Sequence, residues 1–174
     1  QREVAFYNTS QVRLNKSLEK SLKFLQTDHV DLFFFYLPDF LTAASDTAAG
    51  LDRMIEDGLT THVGVSNYSV SQFSSLQSFM KAPLVTNQVE FHLLDMSAAE
   101  NGVLDQCQQL EIRPLAWSPL AGGALLNGTC LASQRFLERC ASWQDRYEGA
   151  SPDQIALAWL RQHPSGPIPI LGTS

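Results

Sequence analysis

Short apolar runs rich in β-branched and aromatic residues recur along the chain, with stretches of helical periodicity between them. That alternation predicts βα units around a parallel sheet. The runs are Val4–Asn8, Asp31–Tyr36, His62–Ser66, Leu84–Gln88, Ile112–Trp117 and Ile168–Leu171. Leu14, Leu18, Leu22 and Leu25 fall at i, i+4, i+8 and i+11 and line one face of a helix, and Ala48, Leu51 and Ile55 do the same. Helix starts are marked by a Ser followed three residues later by an acid or amide: Ser69 with Gln72, Ser97 with Glu100, and Ser151 with Gln154, the last with Pro152 at the first helical position. The Gly-, Asn- and Leu-rich stretch from Gly122 to Cys130 is longer than a simple connection and reads as a functional loop or as a point where residues are absent. Six strands and five helical stretches, the last of them two helices, fit a doubly wound sheet or a barrel, and pattern alone does not separate the two.

Composition narrows the class. The chain has 174 residues, 44% hydrophobic and 17% charged, which is the balance of a globular protein with one core. Eighteen acidic against twelve basic residues give a formal charge of −6 with no basic run, so nucleic acid is not expected as a partner. The longest apolar stretch, Leu32 to Leu37, is far short of the ~20 residues that cross a bilayer, and the N-terminus carries no signal pattern, so no membrane role is expected. Cys107, Cys130 and Cys140 form no CxxC pair and are odd in number, which points to free, buried thiols in a reducing compartment, the cytoplasm. His29, His62, His92 and His163 are scattered without metal-ligand spacing, so no metal is expected. Sequons begin at Asn8, Asn15, Asn67 and Asn127, and in a Ser- and Thr-rich chain they read as chance occurrences.

In parallel α/β folds the chemistry sits at the carboxyl ends of the strands. Here those ends are Ser66-Asn67, Asn87-Gln88, Trp117-Ser118-Pro119-Leu120-Ala121-Gly122-Gly123 and Gly172-Thr173-Ser174. Hydroxyl and carboxamide groups exchange hydrogen bonds without charge and suit a neutral amide ligand. A flat ring can stack on Trp117 while backbone N–H groups of the Gly-rich turn approach a phosphate. A nucleotide is the ligand such ends would take.

The order and spacing of Leu18-Glu-Lys-Ser-Leu22, Asp28-His-Val-Asp-Leu32, Gly64-Val-Ser-Asn-Tyr68, Asn87-Gln-Val-Glu90, Trp117-Ser-Pro-Leu120 and Pro169-Ile-Leu-Gly-Thr173 resemble the aldo-keto reductase family, from about Arg2 to Ser174. Among its branches the chain looks most like bacterial oxidoreductases whose seventh strand ends in Trp-Ser before a Gly-rich loop. The resemblance implies a (β/α)8 TIM-type barrel that reduces aldehydes and ketones to alcohols with NADPH. It implies that residues 1–174 form a single barrel domain running from the third strand to the eighth, about six strands of eight, without the N-terminal strands and the C-terminal helix. By the same resemblance Ser66, Asn67 and Gln88 hold the nicotinamide carboxamide and Trp117 stacks on the ring. Ser118, Pro119, Leu120, Ala121, Gly122 and Gly123 cover the pyrophosphate, and Gly172, Thr173 and Ser174 begin the segment around the adenosine 2′-phosphate.

The family's catalytic groups fare differently. Its proton-donating Tyr and the Asp partner of that Tyr fall before this stretch, Ser10 stands where the family has Lys, and Tyr36 stands where it has His. A phenol at that point could act as general acid, although the plainer expectation packs the Tyr36 ring in the core with its hydroxyl at a pocket mouth. Two classes of function stay open: an NADPH-dependent carbonyl reductase of small-molecule substrates, inactive as this stretch alone, or a non-reducing nucleotide-binding, regulatory or scaffolding relative. Two open sheet edges would favour self-association.

Overall fold

The computed structural model describes residues 11–143 and 145–172. The strand expected at Val4–Asn8 and the candidates Ser10, Thr173 and Ser174 lie outside the described residues. The chain divides into two compact units, Gln1–Asn87 and Gln88–Ser174.

In the first unit α1 spans Gln11–Leu25, with Leu18 and Leu22 buried as the leucine spacing requires, whereas Leu25, expected on the same face, is exposed at the helix end. The chain leaves the helix through Gln26 at φ 55°, where Thr27 N–H donates to Leu22 O at 3.1 Å. It then enters β1, Val30–Phe35, which lies parallel to β2, Thr60–Ser66, in a register from Val30 opposite Thr60 to Phe35 opposite Val65. Parallel neighbours need a crossover. α2, Ala44–Glu56, supplies it, burying Thr47, Ala48, Leu51 and Met54 on one face before Gly58 turns the chain at φ 72°. α3, Val70–Phe79, starts at the Ser69 cap and is followed by β3, Leu84–Glu90, whose first four residues belong to this unit.

Two contacts set how closely these pieces approach. Asp52 of α2 is buried and its carboxylate accepts the backbone N–H groups of Lys81 at 2.9 Å and Ala82 at 3.2 Å, which fixes the turn into β3. A Cβ on Gly64 would stand 2.6 Å from Thr86 Cγ2, so the strand needs glycine there.

In the second unit the end of β3 pairs parallel with β4, Leu115–Trp117, Gln88 opposite Leu115 and Glu90 opposite Trp117. β4 pairs parallel with β5, Ile168–Ile170. α4, Ser97–Glu100, and α5, Val103–Gln109, lie between β3 and β4. A 3₁₀ turn at Ala121–Gly123, α6, Leu131–Ser142, and α7, Pro152–Arg161, lie between β4 and β5. Phe91, Leu104, Cys107, Leu125 and Leu160 form the core, with the Phe91 ring tilted against Trp159 at 5.4 Å and edge-on to His163 at 5.7 Å.

Four further expectations need correction. Ser97 does not cap its helix: it lies inside α4, and its N–H donates to Asp95 Oδ1 at 2.9 Å, so Asp95 closes the preceding turn. The strand expected from Ile112 begins only at Leu115, because Ile112 N–H still donates to Cys107 O at 3.0 Å at the end of α5 and Pro114 follows. Cys130 is not buried but exposed, and it caps α6, its Sγ accepting Ser133 N–H at 3.4 Å while Cys130 N–H donates to Ser133 Oγ at 3.2 Å. Tyr36 is not packed in the core either: it stands one residue past β1 with 63% of its surface exposed.

Candidate active site

β2 ends in the candidate residues of the first unit. Ser66, 2% exposed, is its last residue, and Asn67 follows at φ 59°, a left-handed conformation that Asn tolerates better than most residues. The Asn67 Nδ2 donates to Ser66 Oγ at 3.2 Å, so the two neutral groups are held against each other. Asn87 fixes the turn from below. Its carboxamide is 1% exposed, Nδ2 donates to Tyr68 O at 2.8 Å, and Oδ1 accepts Tyr68 N–H at 3.4 Å. It thereby satisfies both backbone groups of a buried residue. Ser69 then caps α3, its Oγ accepting Gln72 N–H at 3.3 Å while Ser69 N–H donates to Gln72 Oε1 at 2.9 Å. Tyr68 itself is buried, and its pKa is pushed well above the usual phenol value, first by burial and then by the nearby Asp39 carboxylate.

The second unit carries candidate residues of its own. Gln88 and Glu90 stand two residues apart on β3 and so share a face, and Leu115 and Trp117 are their partners on β4. The alternate residues, Val89 and Ala116, are buried on the opposite face. Gln88 and Trp117 are therefore brought to one face, both half-buried. Sequence reasoning passed over Glu90 as a chemical group, although it stood in a quoted motif. Its Oε1 pairs with His92 Nε2 at 3.1 Å, while His92 Nδ1 accepts Leu94 N–H at 3.1 Å. These bonds assign the ring proton to Nε2 and make the pair a donor imidazole on a carboxylate.

After β4 the backbone turns left-handed four times in six residues: Ser118 at φ 49°, Ala121 at 55°, Gly122 at 59° and Gly123 at 92°. For Ser and Ala this conformation costs roughly 1–2 kcal/mol each, and such strain tends to gather at functional sites. Part of the backbone of this Gly-rich turn is engaged within the turn itself. The N–H of Ala121 donates to Ser118 O at 2.7 Å and that of Gly123 to Leu120 O at 3.0 Å, so both are already engaged. Pro119 has none to give. No atom lies within 4 Å of a Cβ built on Gly122 or Gly123, which leaves the space beside them open. Gly172 is exposed beyond β5.

The model of the aldo/keto reductase family matches residues 4–174. The chain belongs to the aldo/keto reductase family. It is similar to a 6-dehydroglucose reductase of Agrobacterium fabrum, 40% identical over 171 residues that make up 98% of this chain and 56% of that protein. The oxidoreductase YdhF of Escherichia coli is 38% identical over 98% of this chain and 56% of its own length. Among solved structures, a thermostable aldo-keto reductase in complex with the inhibitor epalrestat superposes with a TM-score of 0.81 at 31% identity, over 95% of this chain and 58% of that one. An aldo/keto reductase from Klebsiella pneumoniae, solved with NADP and acetate, shares the fold with a TM-score of 0.77 at 24% identity. The chain thus spans a little over half the length of the relatives it matches. Its parallel strands and intervening helices are part of the family's (β/α)8 barrel. No described helix is long and apolar enough to cross a membrane.

Proposed function

We propose that this chain is the cofactor-holding part of an NADPH-dependent carbonyl reductase acting on small aldehydes or ketones. The observation that carries the reading is the character of the strand ends. Ser66 and Asn67, hydrogen-bonded to each other after β2, and Gln88, on a face with Trp117, are uncharged groups of the kind that match a carboxamide and a flat ring. When bound, the cofactor supplies the hydride. Ser66, Asn67 and Gln88 would fix the orientation of its carboxamide, and Trp117 would back the ring and keep water from one side. A phosphate beside the 3₁₀ turn would be met by the N–H groups of Ser118, Leu120 or Gly122, since Ala121 and Gly123 use theirs inside the turn. Gly172, Thr173 and Ser174 keep their assignment to the 2′-phosphate segment.

Protonation of the alkoxide left by hydride transfer needs a separate group, a contribution commonly worth 10²–10⁴ in rate. Tyr36, exposed past β1, is the phenol that stands at the family's His position, and Ser10 offers no charge to lower the pKa of a phenol. We therefore expect residues 1–174 alone to consume no NADPH with a panel of aldehydes and ketones, and a longer polypeptide that includes them to do so. Turnover by residues 1–174 that Tyr36→Phe abolishes would make Tyr36 the donor. Absence of NADPH consumption in both polypeptides would count against reduction.

A further inference from the structure

We propose that the first unit carries a second binding site, for a neutral polyhydroxylated ligand such as a sugar or polyol, between the turn after β1 and the first turns of α3. A cavity of about 330 Å³ opens there, at the lower end of the roughly 300–1,000 Å³ usual for small-molecule sites. Its polar lining includes Asp39, Thr42, Thr47, Ser71, Gln72 and Ser75, with Phe40 and Leu76 among the apolar residues. None of these residues belongs to the carboxamide cradle proposed above, and the inference does not depend on that reading.

The chemistry of the lining selects the ligand. It holds hydroxyls, one carboxamide and one carboxylate, but no cation, so an anion has no partner. The Gln72 oxygen is taken by Ser69 N–H at 2.9 Å and Ser69 Oγ at 3.0 Å, so its amide nitrogen is the part left to offer as donor. Thr42 Oγ1 donates to Asp39 Oδ2 at 2.8 Å, so its proton is used and what it has left to offer a ligand is an acceptor. The lining thus offers both a donor and acceptors, as a ligand bearing several hydroxyls requires. A primary amine would find a single carboxylate, already accepting from Thr42 and from Leu41 N–H at 2.9 Å.

The lip supports the same occupant. Those two bonds to Asp39 fix the turn that contains Phe40, and Phe40 is held 86% exposed. An aromatic face in water beside a polar cavity suits the apolar C–H face of a sugar ring, whose hydroxyl rim would then meet the serines and Gln72.

The test is a titration of the whole chain, followed by amide chemical shifts in NMR, with sorbitol and methyl glucoside as probes, and putrescine and inorganic phosphate as controls. Expected is a saturable shift at Leu41, Ser71 and Ser75 with at least one of the two polyols and none with the controls. Ser75→Trp, at an exposed helix position, should fill the cavity and weaken that binding at least tenfold, and Phe40→Ala should weaken it severalfold, with the rest of the spectrum unchanged. Shifts that never saturate, equal binding in Ser75→Trp, or tighter binding of putrescine or phosphate would each overturn the proposal.

Discussion

Asn87 and Tyr68 are the pair on which the end of β2 depends, and neither acts through its charge. The Asn87 amide replaces water at both backbone groups of Tyr68, so Asn87→Ala would leave a buried N–H and a buried C=O without partners, at roughly 1–3 kcal/mol for each unsatisfied group. Urea unfolding should show a loss of about 2–6 kcal/mol for this substitution, and a loss below about 0.5 kcal/mol would mean that water takes over both bonds. The buried Tyr68 phenol has its pKa raised in the fold, so its neutral form is favoured there. Its contribution to stability is whole below the ordinary tyrosine value of about 10 and is lost as pH rises beyond it, by at most about 1.4 kcal/mol per pH unit. Tyr68→Phe should therefore flatten the fall in stability between pH 10 and 11.5, as followed by urea unfolding. A thiol reagent should separate the cysteines as well. Cys130, exposed and with its pKa lowered by the Ser133 hydroxyl and N–H, should react first. Cys107, buried with its pKa pushed up to about 11, should wait for unfolding. Equal rates at the two would contradict their placement.

At the scale of elements, what the sequence made legible was whatever depends on near neighbours. The leucine spacing located α1, the capping pair Ser69 and Gln72 located the start of α3 within a residue, and the β-rich runs located β1, β2 and β3 to within two residues at each end. Removing that cap by Ser69→Ala should cost α3 about 0.5–2 kcal/mol, measurable by thermal or urea unfolding, and no change would show that Gln72 alone holds the turn. What failed had causes at a distance or in backbone geometry. Ser97 carried the right spacing for a cap, but Asp95 reached its N–H first. Nothing local shows that Ile112 is still tied to α5, or that Asp52, an acid on an amphipathic helix, is buried to receive Lys81 and Ala82 N–H. The candidate site divides the same way. Its residue types stood in readable motifs, whereas the closed 3₁₀ turn, the Asn87 brace and the Glu90–His92 pair are products of folding.

For the molecule as a whole, family membership rests on the match over residues 4–174, and the relative it resembles at 40% identity is itself named a reductase. The carboxamide cradle is the part of the account that this stretch of chain can test by itself, because it concerns binding and needs no proton donor. The measurement is calorimetric titration of the protein with NADPH, beside Gln88→Ala and Asn67→Ala. The account predicts saturable one-to-one binding in the parent, weakened by roughly 1–3 kcal/mol, or about five- to 150-fold, in each variant through the lost carboxamide bond, with folding unchanged by circular dichroism. Saturable binding that both substitutions leave untouched, or no binding of NADPH by a protein that is demonstrably folded, would contradict it.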